Sequence, residues 1–485
     1  MASGNSIPPQ WAYCYDRPVD DAAKVALPLH PIIQAFQKTV QESPDLRRLA
    51  SAMLTEEPDM SPYITDLTAT TPFGDFDHLL HLLNYSMQKV VPPWAVDDCY
   101  PDSVGSPMYM ILQWAMATPS GRSFVLNEEV QVHMKNVQTY WIDEFLSTSA
   151  SARVLVEEPD GWLSAEGRKA IEDETNLDPN HTYTFEELFG HRRTDGEHWG
   201  YKSWDDFFTR PFAEPDKSRP VYAGDDGAWV VSACESRPYA LQSNIKDRDT
   251  FWLKGPSYSL SELLDHEDAA RQFVGGSVYQ AFLSPTSYHR WHSPVDGTIT
   301  KVKLIEGAMF SETTATGWTD PYGFSPVSQK YITDVATRAL IYIEAPGRIG
   351  LMCFVGVGMA DASSCEVTVK EGDYVSKGQE IGAFHHGGSA YCLLFRNGVN
   401  LTWVTDVFPS VHRKNLPVRG ALAHLSTGAL IVRTMGVALV TILDEEVPVR
   451  IMDVGDMGVI MDVMNTGATT AVDILDTVIR SRNLS

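Results

Sequence analysis

Positive charge is scarce in this sequence: 38 Lys and Arg stand against 63 Asp and Glu, for a net charge of −25. That field repels nucleic-acid phosphates and anionic membrane surfaces at long range, so neither is an expected partner. Long apolar runs are also missing. The nearest, Gly428 to Leu443, is interrupted by Arg433 and falls short of the roughly 18 residues that a bilayer span needs. The six cysteines (Cys14, Cys99, Cys234, Cys353, Cys365, Cys392) show no CxxC spacing, so neither a zinc cluster nor a disulfide scaffold is indicated, and buried, reduced thiols are expected. Met1 to Gln10 has neither the basic start and apolar core of a secretion signal nor the Arg-rich amphipathic pattern of a transit peptide. A cytoplasmic protein acting on a small substrate is the expectation.

With 485 residues, 44% of them hydrophobic, the chain can bury a large core and spans two or three domains' worth of sequence. Ile33, Phe36 and Val40 recur at helical spacing, and Ser43-Pro44-Asp45 is a fresh helix start. Further starts fall at Thr184 with Glu187, Ser203 with Asp206, and Ser259 with Glu262, each a polar cap followed three residues later by an acid. From about residue 218 the pattern turns to short β-type runs, Thr298 to Leu304, Ala339 to Ala345 and Gly350 to Gly358, separated by Gly, Pro and Asp turns. The spacing predicts an α+β protein: a mainly helical region over 1–200, a β-rich catalytic domain over 201–424, and a C-terminal extension over 425–485 of unknown role. The extension carries a faint internal echo, Val432-Arg-Thr-Met against Val449-Arg-Ile-Met.

Two segments of the β-rich part, starting at Ser293-Pro-Val-Asp-Gly and at Val369-Lys-Glu-Gly-Asp, resemble the turns of biotinyl and lipoyl hammerhead folds. No carrier lysine accompanies them, so they read as fold signals, with Gly where the backbone needs positive φ.

The sharpest chemical feature is His385-His386-Gly387-Gly388-Ser389-Ala390, between two apolar runs. A tight turn there can bring the Ser389 hydroxyl against the Gly388 carbonyl, which no side chain shields, so an N-to-O acyl shift becomes geometrically possible. β-Elimination from the resulting ester leaves dehydroalanine, and its hydrolysis leaves a pyruvoyl group at residue 389. Such a group condenses with a substrate amine as a Schiff base and accepts the electrons released with CO2. Taken alone a Gly-Gly-Ser turn is common, and Gly275-Gly276-Ser277 is another in the same chain. The second constellation is Tyr288-His289-Arg290-Trp291-His292, where two imidazoles three residues apart suit proton transfer, a metal pair or a purely structural role. Trp252, Trp291, Tyr288 and Phe282 are candidates either for an apolar substrate pocket or for core packing.

Taken together, Asp206-Phe-Phe-Thr-Arg-Pro-Phe212, Lys254-Gly-Pro-Ser-Tyr-Ser-Leu260, Tyr288 to His292 and Phe384 to Ser389 resemble, in order, the motifs of pyruvoyl-dependent phosphatidylserine decarboxylases over roughly residues 200–424. The resemblance implies cleavage between Gly388 and Ser389, a covalent pyruvoyl cofactor derived from Ser389 without any metal, and tight association of the two resulting chains. By the same resemblance His292 is the base that helps activate Ser389, and His289 is a proton donor or acceptor in decarboxylation. Where the family carries an aspartate turn this chain reads Ser232-Ala-Cys-Glu-Ser236, which leaves Glu235 as the favoured carboxylate to fix the imidazole tautomer and Cys234 as a poor substitute at neutral pH. That variation, the long helical region and the Gly-Gly-Ser site resemble a fungal branch of the family, the L-tryptophan decarboxylases. An aromatic L-amino acid, tryptophan favoured, is thus the implied substrate, with phosphatidylserine or a non-processing binding role as the alternatives.

Overall fold

The computed structural model describes residues 27–56, 75–92, 94, 107–116, 118–159, 161–177, 181–247, 259–307, 336–358, 364–386, 389–409 and 414–426, and the backbones of four later strands within 429–463. Residues divide into two units, 1–399 with 403–423, and 400–402 with 424–485.

The larger unit begins with the helices that the apolar spacing predicts. Pro31–Glu42 buries Ile33, Phe36 and Val40, and Ser43 caps Pro44–Ala52 by accepting the Leu46 N–H at 3.3 Å. Phe76–Lys89, Glu128–Tyr140 and Ala165–Thr175 follow, each started by a polar side chain that accepts a first-turn N–H. Their inner faces form one apolar cluster with Trp141 and Trp162 that continues into Trp204, Phe207, Phe208, Phe212 and Tyr288. Helical and β-rich sequence therefore share a core, and that shared core lies under the motif residues. Thr184 and Glu187 form the expected reciprocal capping box, and Ser203 caps the helix Trp204–Phe208 through the Asp206 N–H. Ser259 precedes a short helix, Leu260–Leu263, without a side-chain cap.

The β-rich part is built around a seven-stranded sheet in the order Arg237–Ser243, Ser277–Leu283, Ser389–Phe395, Gly350–Gly358, Arg338–Ala345, Gly297–Ile305 and Tyr374–Val375, with every neighbouring pair antiparallel. Strands in the middle are buried on both faces: Ser389–Phe395 and Gly350–Gly358 are buried throughout and, Ser389 apart, carry no charged or strongly polar side chain. A second, three-stranded sheet places Glu380–His385 between Arg290–His292 and Ser364–Val367.

The two hammerhead-like segments lie against each other. Gly297 pairs with Val375 and Thr298 with Tyr374, while the Lys377 N–H donates to Asp296 Oδ1 at 2.9 Å and the Gly378 N–H to the Ser293 carbonyl at 2.7 Å. Gly372 and Gly378 sit at φ +90° and +82°, the conformation for which glycine is suited.

The smaller unit contains two antiparallel hairpins, Ala429–Thr434 with Val437–Ile442 and Val449–Met452 with Ile460–Val463. Val432 and Val449, which begin the two echoing segments, fall on the first strand of each hairpin.

Candidate active site

Ser389 opens the central strand Ser389–Phe395, paired there with Leu283 on one side and Gly358 on the other. It is fully buried, and its hydroxyl has no hydrogen-bond partner among the described residues. Leaving a buried hydroxyl unpaired costs about 1–3 kcal/mol. Gly387 and Gly388 lie outside the described residues. The other Gly-Gly-Ser differs in its surroundings: Gly275 is at φ +80°, Gly276 follows, and Ser277 opens its strand only half-buried.

His289 is fully buried, with its ring stacked on Phe208 at 3.9 Å between centroids. Neither ring nitrogen makes a well-formed hydrogen bond to any described residue. Burial, then the nearby Arg210 guanidinium and His386, push its pKa well below the ordinary histidine value, so it is neutral near pH 7.

His292 lies at the end of Arg290–His292, and its ring is held at both nitrogens. Nδ1 bonds to the Gly378 carbonyl at 2.8 Å and Nε2 to the Tyr288 hydroxyl at 3.0 Å. A carbonyl only accepts, so Nδ1 carries the proton and Nε2 presents a lone pair to Tyr288. Burial, opposed by the Gly378 bond and reinforced by Arg419 and Arg290, takes its pKa down to about 4. Burial also pushes the Tyr288 phenol far up, which keeps it protonated and able to donate. Among the described residues no group of three or more His, Cys, Asp or Glu is placed to hold a metal ion.

Glu235 occupies a different place from the one expected of a residue that fixes a histidine tautomer. Its fully buried carboxylate pairs with Arg219, whose Nε–H donates to Oε2 at 2.9 Å and whose Nη2 donates to Oε1, and it accepts the Val418 N–H at 3.0 Å. Orientation of His292 falls instead to the backbone of Gly378. Cys234 is buried as a thiol, its pKa driven well up by desolvation and by Glu235.

The helix Trp204–Phe208 holds His385 and His386. Trp204 Nε1–H donates to His386 Nδ1 at 3.0 Å, Asp205 holds the ring of His385, and Phe208 contacts both His289 and His386. The sequence places Ser203 and Asp206 at a helix start and Asp206 to Phe212 in a family motif, but it gives Asp205, His385 and His386 no role of their own. The adjacent acid and aromatics of the Trp204-Asp205-Asp206-Phe207-Phe208 run were the available signal. Arg210, also buried, donates to the Thr286 carbonyl at 2.7 Å, and Glu174 accepts from the hydroxyls of Ser284, Thr286 and Ser287 at 2.5 to 3.3 Å. Both tie down the loop that leads into Tyr288 and His289.

Among the aromatic candidates, Trp291 is core, wedged between Phe354 and Phe384 against Gly356 and Gly382, where a Cβ would meet the indole at 3.0 and 2.5 Å. Tyr288 is buried on Phe212 beside His292, Phe282 packs against the edge of a core cluster, and Trp252 and most of Lys254 to Leu260 lie outside the described residues.

A phosphatidylserine decarboxylase family model matches residues 204–432, and a second with the same description matches residues 30–171. Decarboxylase iboD of Amanita muscaria is 38% identical over 325 residues, covering 65% of this chain and 90% of the relative. The chain belongs to the phosphatidylserine decarboxylase family. It is a decarboxylase, a carboxy-lyase, like the family's other members. L-tryptophan decarboxylase of Psilocybe cyanescens is 37% identical over 313 residues, 60% of this chain and 68% of the relative. Phosphatidylserine decarboxylase proenzyme 3 of Schizosaccharomyces pombe is 34% identical over 203 residues, 41% of this chain and 19% of the relative. Phosphatidylserine decarboxylases are generally pyruvoyl-dependent, and the isolated, buried hydroxyl of Ser389 fits the group's serine precursor. Among the described residues of this family member, no helix is long and apolar enough to cross a membrane.

Proposed function

We propose that the chain cleaves itself between Gly388 and Ser389 and, with a pyruvoyl group at residue 389, decarboxylates an aromatic L-amino acid, tryptophan favoured, in the cytoplasm. The observation that carries this reading is the fully buried Ser389 hydroxyl, without a hydrogen-bond partner among the described residues, at the head of a central strand and directly after two glycines in sequence. When present, the pyruvoyl carbonyl supplies the electron sink for the bond broken as CO2 departs.

The chain's own residues do the rest. His292, neutral and carrying its proton on Nδ1, offers Nε2 to the Ser389 proton; Tyr288 now occupies that lone pair, so the transfer runs through the phenol or displaces it. His289, neutral and without a well-formed hydrogen bond, is the second proton carrier, assigned to the carbon left when CO2 departs. Support for the aromatic substrate comes from the relatives named L-tryptophan decarboxylase, and the net charge of −25 disfavours an anionic bilayer.

A denaturing intact mass tests the first half. Two masses are expected, residues 1–388 and 389–485, the smaller without a free amino terminus. Incubation with tryptophan, tyrosine, phenylalanine and phosphatidylserine tests the second. Tryptamine is the expected product, phosphatidylethanolamine alone would move the substrate to lipid, and an uncut chain that makes no amine would overturn the proposal.

A further inference from the structure

His385 and His386 have no part in the chemistry above, yet one short helix grips both. Trp204 bonds His386, and the adjacent Asp205 accepts from His385 Nδ1–H with both carboxylate oxygens, at 2.9 and 3.0 Å. On the other side of the same ring, Nε2–H donates to Glu366 Oε2 at 3.2 Å, from the strand on which Ser364 pairs with His385. A carboxylate only accepts, so a ring bonded to one at each nitrogen carries both protons. Burial opposes that charge, but the bonds to Asp205 and then Glu366 outweigh it and raise the pKa of His385 above the ordinary value. The strand on the far side of Glu380–His385 brings Arg290, which is engaged by Glu380 at 2.7 Å and by the Thr209 carbonyl at 2.6 Å.

The next residue, His386, is held at φ +40° between Trp141 and Phe208, a conformation that a non-glycine residue keeps only where its surroundings impose it. Self-cleavage needs a hydroxyl and a carbonyl carbon within about 3–3.5 Å, and a misplacement of about 1 Å costs up to about a hundredfold in rate. Whatever prevents the strand end before Ser389 from relaxing therefore governs the reaction.

We propose that Asp205 and Glu366, by holding His385 between two carboxylates, make His385 the positioning residue for self-cleavage, fixing the strand end from which the chain runs to Ser389. This rests on the self-processing reading above. Neutral His385 keeps one ring proton and loses one of its two carboxylate bonds, so cleavage slows as pH rises through its raised pKa. In Asp205→Asn that pKa falls, and the slowing moves to lower pH.

The test uses full-length chain made in a short cell-free pulse, transferred to buffers from pH 6 to pH 9 and sampled by denaturing intact mass. Wild type is expected to cleave faster at the acid end, Asp205→Asn to cleave at least tenfold more slowly at pH 8 with its profile displaced to lower pH, and Asp205→Glu to recover most of the rate. Glu366→Gln, at an exposed carboxylate whose loss the fold tolerates, is expected to show a smaller displacement in the same direction. An Asp205→Asn or Glu366→Gln chain that melts like wild type and keeps its pH profile would overturn the latch alone. A wild-type chain that never cleaves would overturn the processing reading, and the latch with it.

Discussion

His292 is oriented by Gly378: its Nδ1–H donates to that carbonyl at 2.8 Å, and the same oxygen also receives the Nε–H of Arg419 at 2.8 Å. The tautomer of the proposed base is thus set by a turn of the second hammerhead-like segment, where a carboxylate was expected. A backbone carbonyl cannot be protonated in the working pH range, so this orientation holds wherever the fold does.

Gly378→Ala should damage both fold and chemistry. At φ +82° a Cβ would meet Val221 Cγ2 at 2.6 Å and Arg419 Nε at 3.0 Å, so the turn has to move and takes the carbonyl with it. A loss of about 1–3 kcal/mol is expected in urea unfolding. Cleavage, followed by intact mass, should slow more than the stability loss alone explains.

Ser389→Ala should remain a single chain of 485 residues and make no amine. Because the hydroxyl it removes is buried and has no hydrogen-bond partner among the described residues, the variant should retain its fold with a melting temperature no lower than that of wild type. A clear drop would show that Ser389 Oγ has a structural partner.

Glu235→Gln should act through stability. It leaves the buried Arg219 guanidinium without its carboxylate, a loss of about 3–5 kcal/mol for a pair of this kind. Replacing both residues, Arg219→Met with Glu235→Leu, should recover much of that. The titration of His292, read by NMR in whichever variant folds, should stay near its wild-type position; a large displacement would restore Glu235 as its orienting group.

Acid should weaken the protein earlier than its carboxylates alone would. In the unfolded chain His289 and His292 take up protons near their ordinary value of about 6.5, whereas in the folded chain both are depressed, His292 to about 4. The unfolded state therefore binds more protons, and stability falls as pH drops from about 6.5 toward 4, by about 3 kcal/mol for His292 alone. His385 works in the opposite sense: its stabilisation is fully present below about 6.5 and is lost as pH rises through its raised pKa. Urea midpoints between pH 7 and pH 4.5 check the first effect, and His292→Gln should flatten the slope by close to one proton.

Local signals are readable at several elements, though not at Ser259, which caps nothing with its side chain. Gly350 to Gly358 is a strand with the boundaries its apolar run predicts, Thr298 to Leu304 sits inside Gly297–Ile305, and the Thr184 and Ser43 helix starts are as read, because burial period and capping act within a few residues. Ser389, His289 and His292 stood out by residue type and spacing. Their partners did not: Asp205 meets His385 across 180 positions and Gly378 meets His292 across 86, and only the folded sheets bring such distant residues together. Glu235 reads in the sequence as the carboxylate that fixes a histidine tautomer, and nothing within a single stretch of sequence shows that Arg219 claims it.

Ser389–Phe395 is zipped along its whole length to a strand on either side. A cut at its head would convert one chain into a two-chain complex whose smaller member contributes an interior strand, so its release and global unfolding become the same event. Refolding would then depend on encounter between two molecules and slow with dilution, whereas the uncut precursor would refold at a rate indifferent to concentration.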